Sequence, residues 1–290
     1  LLALDQGATR VQRAHEALKA DELWQGNAYV VHPQPDQAEA AGGTAPGTRK
    51  QVLTLPTDHA VYFRLAEQRT LAAELFAALM AQALGLPTPQ PYVLRIDPGT
   101  LPGSRFAPPA GSGKKANAKP LLCVATQDMG GQAFAQLLAE QSAFAQKLMR
   151  DWDALVPATT FDEWIANPDR NFGNILFIAQ RLLLIDHAAA FAGPHRALLP
   201  LHELADKPLT NKLALLLAHD SPSRRKTHLE SARRWLTQTA RALNLPQTAR
   251  HASHWHSADD EQALLTFLNR RLDLAHPLLC TRLGYPQLGL

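Results

Sequence analysis

The feature that most constrains this chain is a change of periodicity at Gln127-Asp128-Met129-Gly130-Gly131: short β-prone runs precede it, and helical spacing of apolar residues follows. Upstream, Gln51 to Leu55 and His59 to Leu65 read as a hairpin around Pro56-Thr57-Asp58, and Gln90 to Ile96 and Leu121 to Thr126 as two further strands. One helix interrupts them. Leu71, Leu75, Ala78, Leu79 and Ala83 share a face, with Thr70 in the N-cap position and Gly85-Leu86-Pro87 as the stop. Downstream, helical patterns run over 134–138, 142–155, 161–165, 209–219, 223–243 and 257–275. Two apolar strands stand among them, Ile175 to Ile178 and Leu182 to Ile185, joined by Ala179-Gln180-Arg181. The expectation is an α+β fold with a β-rich part over 1–127 and a mostly helical part over 128–290.

Composition narrows the partners. The 290 residues are 46% apolar, enough for a sizeable core, and 29 Lys+Arg against 26 Asp+Glu leave a charge of only +3. That is too weak to make nucleic acid or an anionic membrane the expected partner. Cys123 and Cys280 form neither a disulfide scaffold nor a zinc spacing, and no apolar run is long enough to span a bilayer, so a cytoplasmic setting is expected.

Several features read as ordinary structure. Gly42-Gly43-Thr44-Ala45-Pro46-Gly47-Thr48 could cradle phosphates with backbone N–H groups, but it matches neither glycine-rich phosphate pattern and reads better as a flexible loop. Pro98 to Pro120, with Lys114 and Lys115, is aperiodic. His251, His254 and His256 beside Asp259 and Asp260 could bind a metal, yet Ser257 as N-cap with acids in a first helical turn explains the acids without one. Arg224, Arg225, Lys226, Arg233 and Arg234 read as a solvated helix face, with Trp235 and Leu236 on the buried side.

The chemistry concentrates in Trp164-Ile165-Ala166-Asn167-Pro168-Asp169-Arg170-Asn171-Phe172-Gly173-Asn174-Ile175-Leu176-Phe177 and Leu183-Leu184-Ile185-Asp186-His187. Phosphoryl transfer needs a carboxylate to orient an attacking hydroxyl and oxygen ligands that hold Mg²⁺ against nucleotide phosphates. Asp169, Asn174 and Asp186 can supply them. The bland alternative is turn chemistry, since Asn-Pro-Asp is common in turns.

The Asn-x-Asp-Arg-x3-Asn run followed by Leu-Ile-Asp-His resembles the catalytic and metal-binding segments of HipA-like kinases, related to the phosphoinositide 3-/4-kinase-like branch of the protein-kinase fold. Val61-Tyr62-Phe63-Arg64-Leu65, Glu74 in its helix, and Leu84-Gly85-Leu86-Pro87-Thr88-Pro89 are similar to that family's third strand, helix C and following turn. The resemblance implies a two-lobed protein-kinase-like fold, with a β-rich N-lobe over 1–127 and a mostly helical C-lobe over 128–290. It implies Asp169 as catalytic base, Asn174 and Asp186 as Mg²⁺ ligands, and Glu74 as the helix-C acid. Val124, Ala125 and Thr126 would lead into a hinge whose backbone meets adenine. Arg170 would brace the loop, and His187 is given no catalytic role.

One position departs from the pattern. Arg64 stands where kinases of this fold place the phosphate-binding lysine, and a guanidinium is not a compact ammonium. Arg64 could pair with Glu74 and bind phosphate as a fork, could be a surface arginine, or could leave the role to Lys50. The leading expectation is an ATP- and Mg²⁺-dependent kinase acting on a hydroxyl, expected to be Ser or Thr of a protein substrate. A small-molecule acceptor and a non-catalytic, pseudokinase-like binding module are the alternatives. By resemblance only, an antitoxin-like protein is a possible partner; no direct nucleic acid or membrane contact is expected.

Overall fold

The computed structural model describes residues 2–4, 9–10, 22–33, 52–96, 121–193, 199–251 and 257–285, with backbone pairing alone for the strands before residue 61. The glycine-rich stretch 42–48, Lys50, the loop 98–120 and His254 and His256 lie outside the described residues. Two compact units form: Leu1–Ala66 with Pro91–Asp128, and Glu67–Gln90 with Met129–Leu290. The first is β-rich and the second mostly helical, so the expected α+β class is observed.

The first unit holds β1 (Leu2–Leu4), β2 (Thr9–Arg10), β3 (Glu22–Pro33), β4 (Val52–Leu65), β5 (Pro91–Ile96) and β6 (Leu121–Gln127). Pairing runs β1–β5–β6–β4–β3 and returns from β3 to β1, so the sheet closes on itself, with β2 also laid against β3. Closure removes exposed sheet edges. The expected hairpin over 51–65 is corrected: β4 is one continuous strand whose partner is β3. Ala28 pairs with His59 and Val30 with Leu55, so Pro56-Thr57-Asp58 faces Tyr29 alone. The three residues form a bulge rather than a turn, a position that tolerates proline's missing N–H. Val61, Phe63 and Leu65 alternate along β4 and are buried with Leu94, Ile96 and Cys123.

In the second unit α1 (Gln68–Ala83) is buried on nearly every side from Leu71 to Ala78, as its alanine-rich sequence allows. Its N-cap is Glu67, not Thr70 as expected; no side chain caps it, and the helix starts three residues earlier than periodicity indicates. Gly85 ends it at φ +71°, with its N–H bonded to Gln82 O and that of Leu86 to Ala81 O.

The remaining helices are α2 (Phe134–Glu140), α3 (Ser142–Arg150), α4 (Leu155–Trp164), α5 (Leu201–Leu204), α6 (Lys212–Ala218), α7 (Pro222–Gln238), α8 (Leu245–Arg250) and α9 (Ala258–Arg282). The boundary expected at 155–161 shifts: α3 stops at Arg150 and α4 already begins at Leu155, because Pro157 falls in its first turn where no N–H partner is needed. Ser257 and Asp260 form a capping box at α9, as the sequence indicates. On α7, Arg224, Lys226, Arg233 and Arg234 are exposed and Leu236 is buried. Arg225 departs from that solvated face, lying over the Tyr285 ring and donating to Leu283 O. Among the described residues no helix is long and apolar enough to cross a membrane.

A small sheet, β7 (Gln132–Ala133), β8 (Ile175–Ile178) and β9 (Arg181–Leu184), inserts among these helices. Ile178 pairs with Arg181, so the turn is two residues, Ala179-Gln180, rather than the expected three. Both have positive φ, +46° and +65°, which matches the twist of a tight hairpin but strains side-chain-bearing residues. Gly131 permits β7 to approach: a Cβ there would stand 2.6 Å from Phe177 O. Gln180→Gly is expected to stabilise the fold by about 0.5–1 kcal/mol. Gly131→Ala should destabilise it by about 1–3 kcal/mol, because the obstacle is backbone. Denaturant midpoints of the two variants, moving in opposite directions from the native chain, check both.

Candidate active site

The loop after α4 is built on one buried carboxylate. α4 ends with Ala166 at φ +49°, and the N–H of Asn167 returns to Asp162 O at 2.9 Å. Asn167 Nδ2 donates to Asp162 Oδ1 at 3.1 Å, while its Oδ1 accepts from the Asp169 N–H at 3.2 Å. Arg170 turns inward and donates to the same carboxylate from Nε at 3.1 Å and Nη2 at 3.4 Å. Its remaining donors reach Asn174 O, Ile185 O and His187 Nδ1. Arg170 thus joins α4, the end of the loop and the exit of β9, and braces the site as expected.

Asp169 faces the other way, its side chain 43% exposed. Asn171 Oδ1 accepts from Gly173 N at 2.7 Å and tightens Phe172–Asn174 into a 3₁₀ turn. Asn174 Nδ2 donates to Asp169 O at 2.8 Å, which leaves Asn174 Oδ1 without a donor among the described residues. Ile185 N–H bonds Asn174 O at 3.1 Å, so Asp186 follows directly from the backbone pairing that ends at Asn174. Asp186 has φ +58°, a left-handed conformation that aspartate tolerates better than most residues. Asp169 and Asn174 are thus joined by a hydrogen bond, and Asp186 follows the residue whose backbone pairs with Asn174. An Asn carbonyl and one carboxylate suit Mg²⁺, which takes few protein ligands and completes its shell with phosphate and water.

Segment 187–193 is stapled to the same loop: Phe191 N–H bonds Ile165 O, Ala192 N–H bonds Ala166 O, and Phe76 of α1 packs on Phe191 at 5.5 Å. Thr88 and Pro87, beyond α1, bond Leu184 of β9. Glu74 is buried in α1. In the first unit Arg64 is also buried, at 9% exposure, and is therefore not an ordinary surface arginine. It pairs with Val124 in register, beside Phe63 with Ala125 and Tyr62 with Thr126. Val124, Ala125 and Thr126 also pair with β5, so their main chain is flanked by strands on both sides. Gln127 is the first residue past that double pairing.

Three contributors carry no motif. Asp162 and Glu163 lie in an apolar run that reads only as helix. Lys212 donates to Asp169 Oδ1 at 2.9 Å from 43 positions along the chain, a separation no local pattern reveals. A cavity of about 500 Å³, lined by Phe134, Met149, Leu155, Phe172 and Leu217, opens beside the loop through Phe172. Among the described residues no group of three or more His, Cys, Asp or Glu side chains could hold a metal, so any cation at the loop would draw on the mixed Asn174 and Asp186 set.

His187 is neutral. A guanidinium only donates, so Nδ1 must accept from Arg170 and the proton sits on Nε2, which has no hydrogen-bond partner among the described residues. Burial first, and Arg170 second, hold the imidazole well below its ordinary value, against a smaller pull from Asp186. A base depressed in the folded state contributes stability that is complete above its unfolded value of 6.5 and lost as pH falls below it. The native chain should lose up to about 1.4 kcal/mol per pH unit from this group. Urea unfolding at pH 7.5 and 5.5 is expected to show a smaller decline in His187→Asn; equal declines would remove the assignment.

No curated protein matches this sequence. Among solved structures, one similar to it is the crystal structure of a Helicobacter pylori proinflammatory kinase, CtkA, with 13% identity, 90% of this chain and 97% of that chain covered, and a TM-score of 0.47. The family described as HipA-like kinase matches residues 47–202, a span that takes in β4, α1, the loop from Asn167 to Asn174, and Asp186. Covering more than half of the sequence and all of its phosphoryl-transfer pattern, that match shows that the chain belongs to the HipA-like kinase family, a family of nucleotide-using transferases.

Proposed function

We propose that the chain transfers the γ-phosphoryl group of ATP, with Mg²⁺, to a hydroxyl acceptor, first of all Ser or Thr of a protein. The observation that carries this reading is the asymmetry of Asp169: both its side-chain hydrogen bonds fall on Oδ1, from Lys212 and Asn171, and Oδ2 accepts none among the described residues. A carboxylate held by one oxygen and open at the other is suited to orient an acceptor hydroxyl and take its proton.

Asn174 and Asp186 would hold Mg²⁺, which supplies neutralisation of phosphate charge when bound. Because Asn174 Nδ2 is tied to Asp169 O, base and ligand oxygen keep a fixed relation. Arg64 and Glu74 remain the nucleotide-side candidates, and Val124 to Thr126, with the backbone at Gln127 and Asp128 just beyond the doubly paired part of β6, are the candidate contact for adenine. A cytoplasmic setting and an antitoxin-like protein partner, without direct nucleic acid or membrane contact, belong to the same proposal.

A small-molecule acceptor is the second reading, favoured by the 500 Å³ cavity beside Phe172, which lies in the size range of ligand sites. Labelled phosphate on a metabolite, with no protein band labelled, would select it.

Asp169→Ala is expected to abolish transfer and leave nucleotide affinity largely intact; unchanged turnover would sink the assignment. ATP at about 100 times its dissociation constant should add roughly 2.7 kcal/mol of stability. That increment should require Mg²⁺ and vanish in Asp186→Ala, as thermal unfolding with and without the metal will show.

A further inference from the structure

The loop that presents Asp169 cannot by itself fix the direction of the carboxylate. Asn171 Nδ2 reaches Oδ1 at 3.3 Å, a long contact shared with Asp169 O at 3.2 Å. The short contact is Lys212 Nζ at 2.9 Å, the one ion pair of Asp169 among the described residues. Arg170, its neighbour in sequence, is spent on buried acceptors and offers no charge at the surface of the loop.

Lys212 is itself held firmly at its backbone. Asn211 precedes it, 2% exposed, and caps α6 by accepting from Ala214 N at 3.1 Å. Its Nδ2 donates to Thr159 O at 2.9 Å and Glu163 Oε2 at 3.0 Å, both on α4. Lys212 therefore starts from a point fixed to the same helix that, through Asp162, fixes the loop. The pair is half exposed, 39% and 43%, so it contributes only about 0–1 kcal/mol to stability. Its geometry is more specific than that energy requires.

We infer that Lys212 is a positioning residue for phosphoryl transfer: by holding Asp169 Oδ1 it turns Oδ2 toward the acceptor hydroxyl. The inference rests on the kinase reading above. In the step it serves, the acceptor oxygen bonds to the γ-phosphorus as the bond from that phosphorus to the β,γ-bridging oxygen breaks. The acceptor proton passes to Asp169 Oδ2, and ADP leaves with the bridging oxygen. An ammonium suits this role because its three donors are not confined to a plane, and it can keep one on Asp169 while the others follow the phosphoryl group.

The test compares the native chain, Lys212→Ala, Lys212→Gln and Lys212→Arg, each incubated with Mg²⁺ and γ-labelled ATP, reading autophosphorylation and ADP release. Lys212→Ala and Lys212→Gln are expected to lower kcat about 10- to 100-fold, with KM for ATP within about two-fold of native. Lys212→Arg should recover much of the loss. Melting temperatures should stay within about 3 °C of native, as an exposed pair implies. Unchanged kcat in the Ala and Gln variants, or an Arg variant as slow as they are, overturns the inference alone. A native chain that neither labels itself nor releases ADP overturns the kinase reading and this inference with it.

Discussion

Two adjacent buried acids on α4 carry the second unit. Asp162 and Glu163 are each 1% exposed, and each would be prohibitive without partners. Asp162 faces the loop and is met by Arg170 and Asn167; burial still pushes its carboxyl upward, with Arg170 pulling it back. Glu163 is met by Arg271, Arg282 and Asn211. Arg271 is pulled down to about 10, chiefly by burial, with Glu163 opposing, and so keeps its charge at neutral pH. Such pairs gain little over apolar packing, but breaking one strands a charge at a cost of about 3–5 kcal/mol. Together they tie the loop, α6 and α9 to one helix.

Strain gathers where this network ends. Ala166, Asp186, Phe191 and Ala192 all hold positive φ without being glycine, and hydrogen bonds from 191 and 192 to 165 and 166 tie most of them into one patch. Residues in such conformations persist only where the surroundings over-determine them, and they cluster at functional sites. Here the surroundings are Arg170, buried between Asp162, Asn174, Ile185 and His187. The left-handed turn at Asp186 redirects the chain immediately after its pairing with Asn174, so the carboxylate leaves the line of β9.

What was legible in the sequence follows the range of each interaction. Within the loop from Asn167 to Asn174 the bonds join residues two to five positions apart, and β8, β9 and the Ser257 cap are equally local, so spacing reveals them. The continuous β4 depends on β3, a partner from a separate stretch of chain that keeps Pro56 within a strand, and no local window shows that pairing. The expected segment 161–165 covers only the end of α4, whose first turn holds Pro157, a position where proline is tolerated. The partner that lets Glu163 be buried lies on α9, more than 100 positions on, and nothing in a window around it separates a core acid from a solvated one.

The division of cations between the two chemistries is itself informative. Arg170, Arg271 and Arg282 are used where several fixed acceptors surround one planar group, each reaching both carboxylate and carbonyl oxygens. That suits a permanent charge whose donors diverge in a plane. Lys212, on a flexible stem at the rim, makes a single contact with Asp169 and no other among the described residues. An arginine there could keep the contact to Asp169, but the ammonium, free of a planar fork, is the more readily shared with an arriving phosphate. The interior thus takes the groups that lock geometry and the rim takes the one that can change partners. A loop that must stay rigid through a reaction, yet accommodate a moving phosphoryl group at its surface, requires that arrangement.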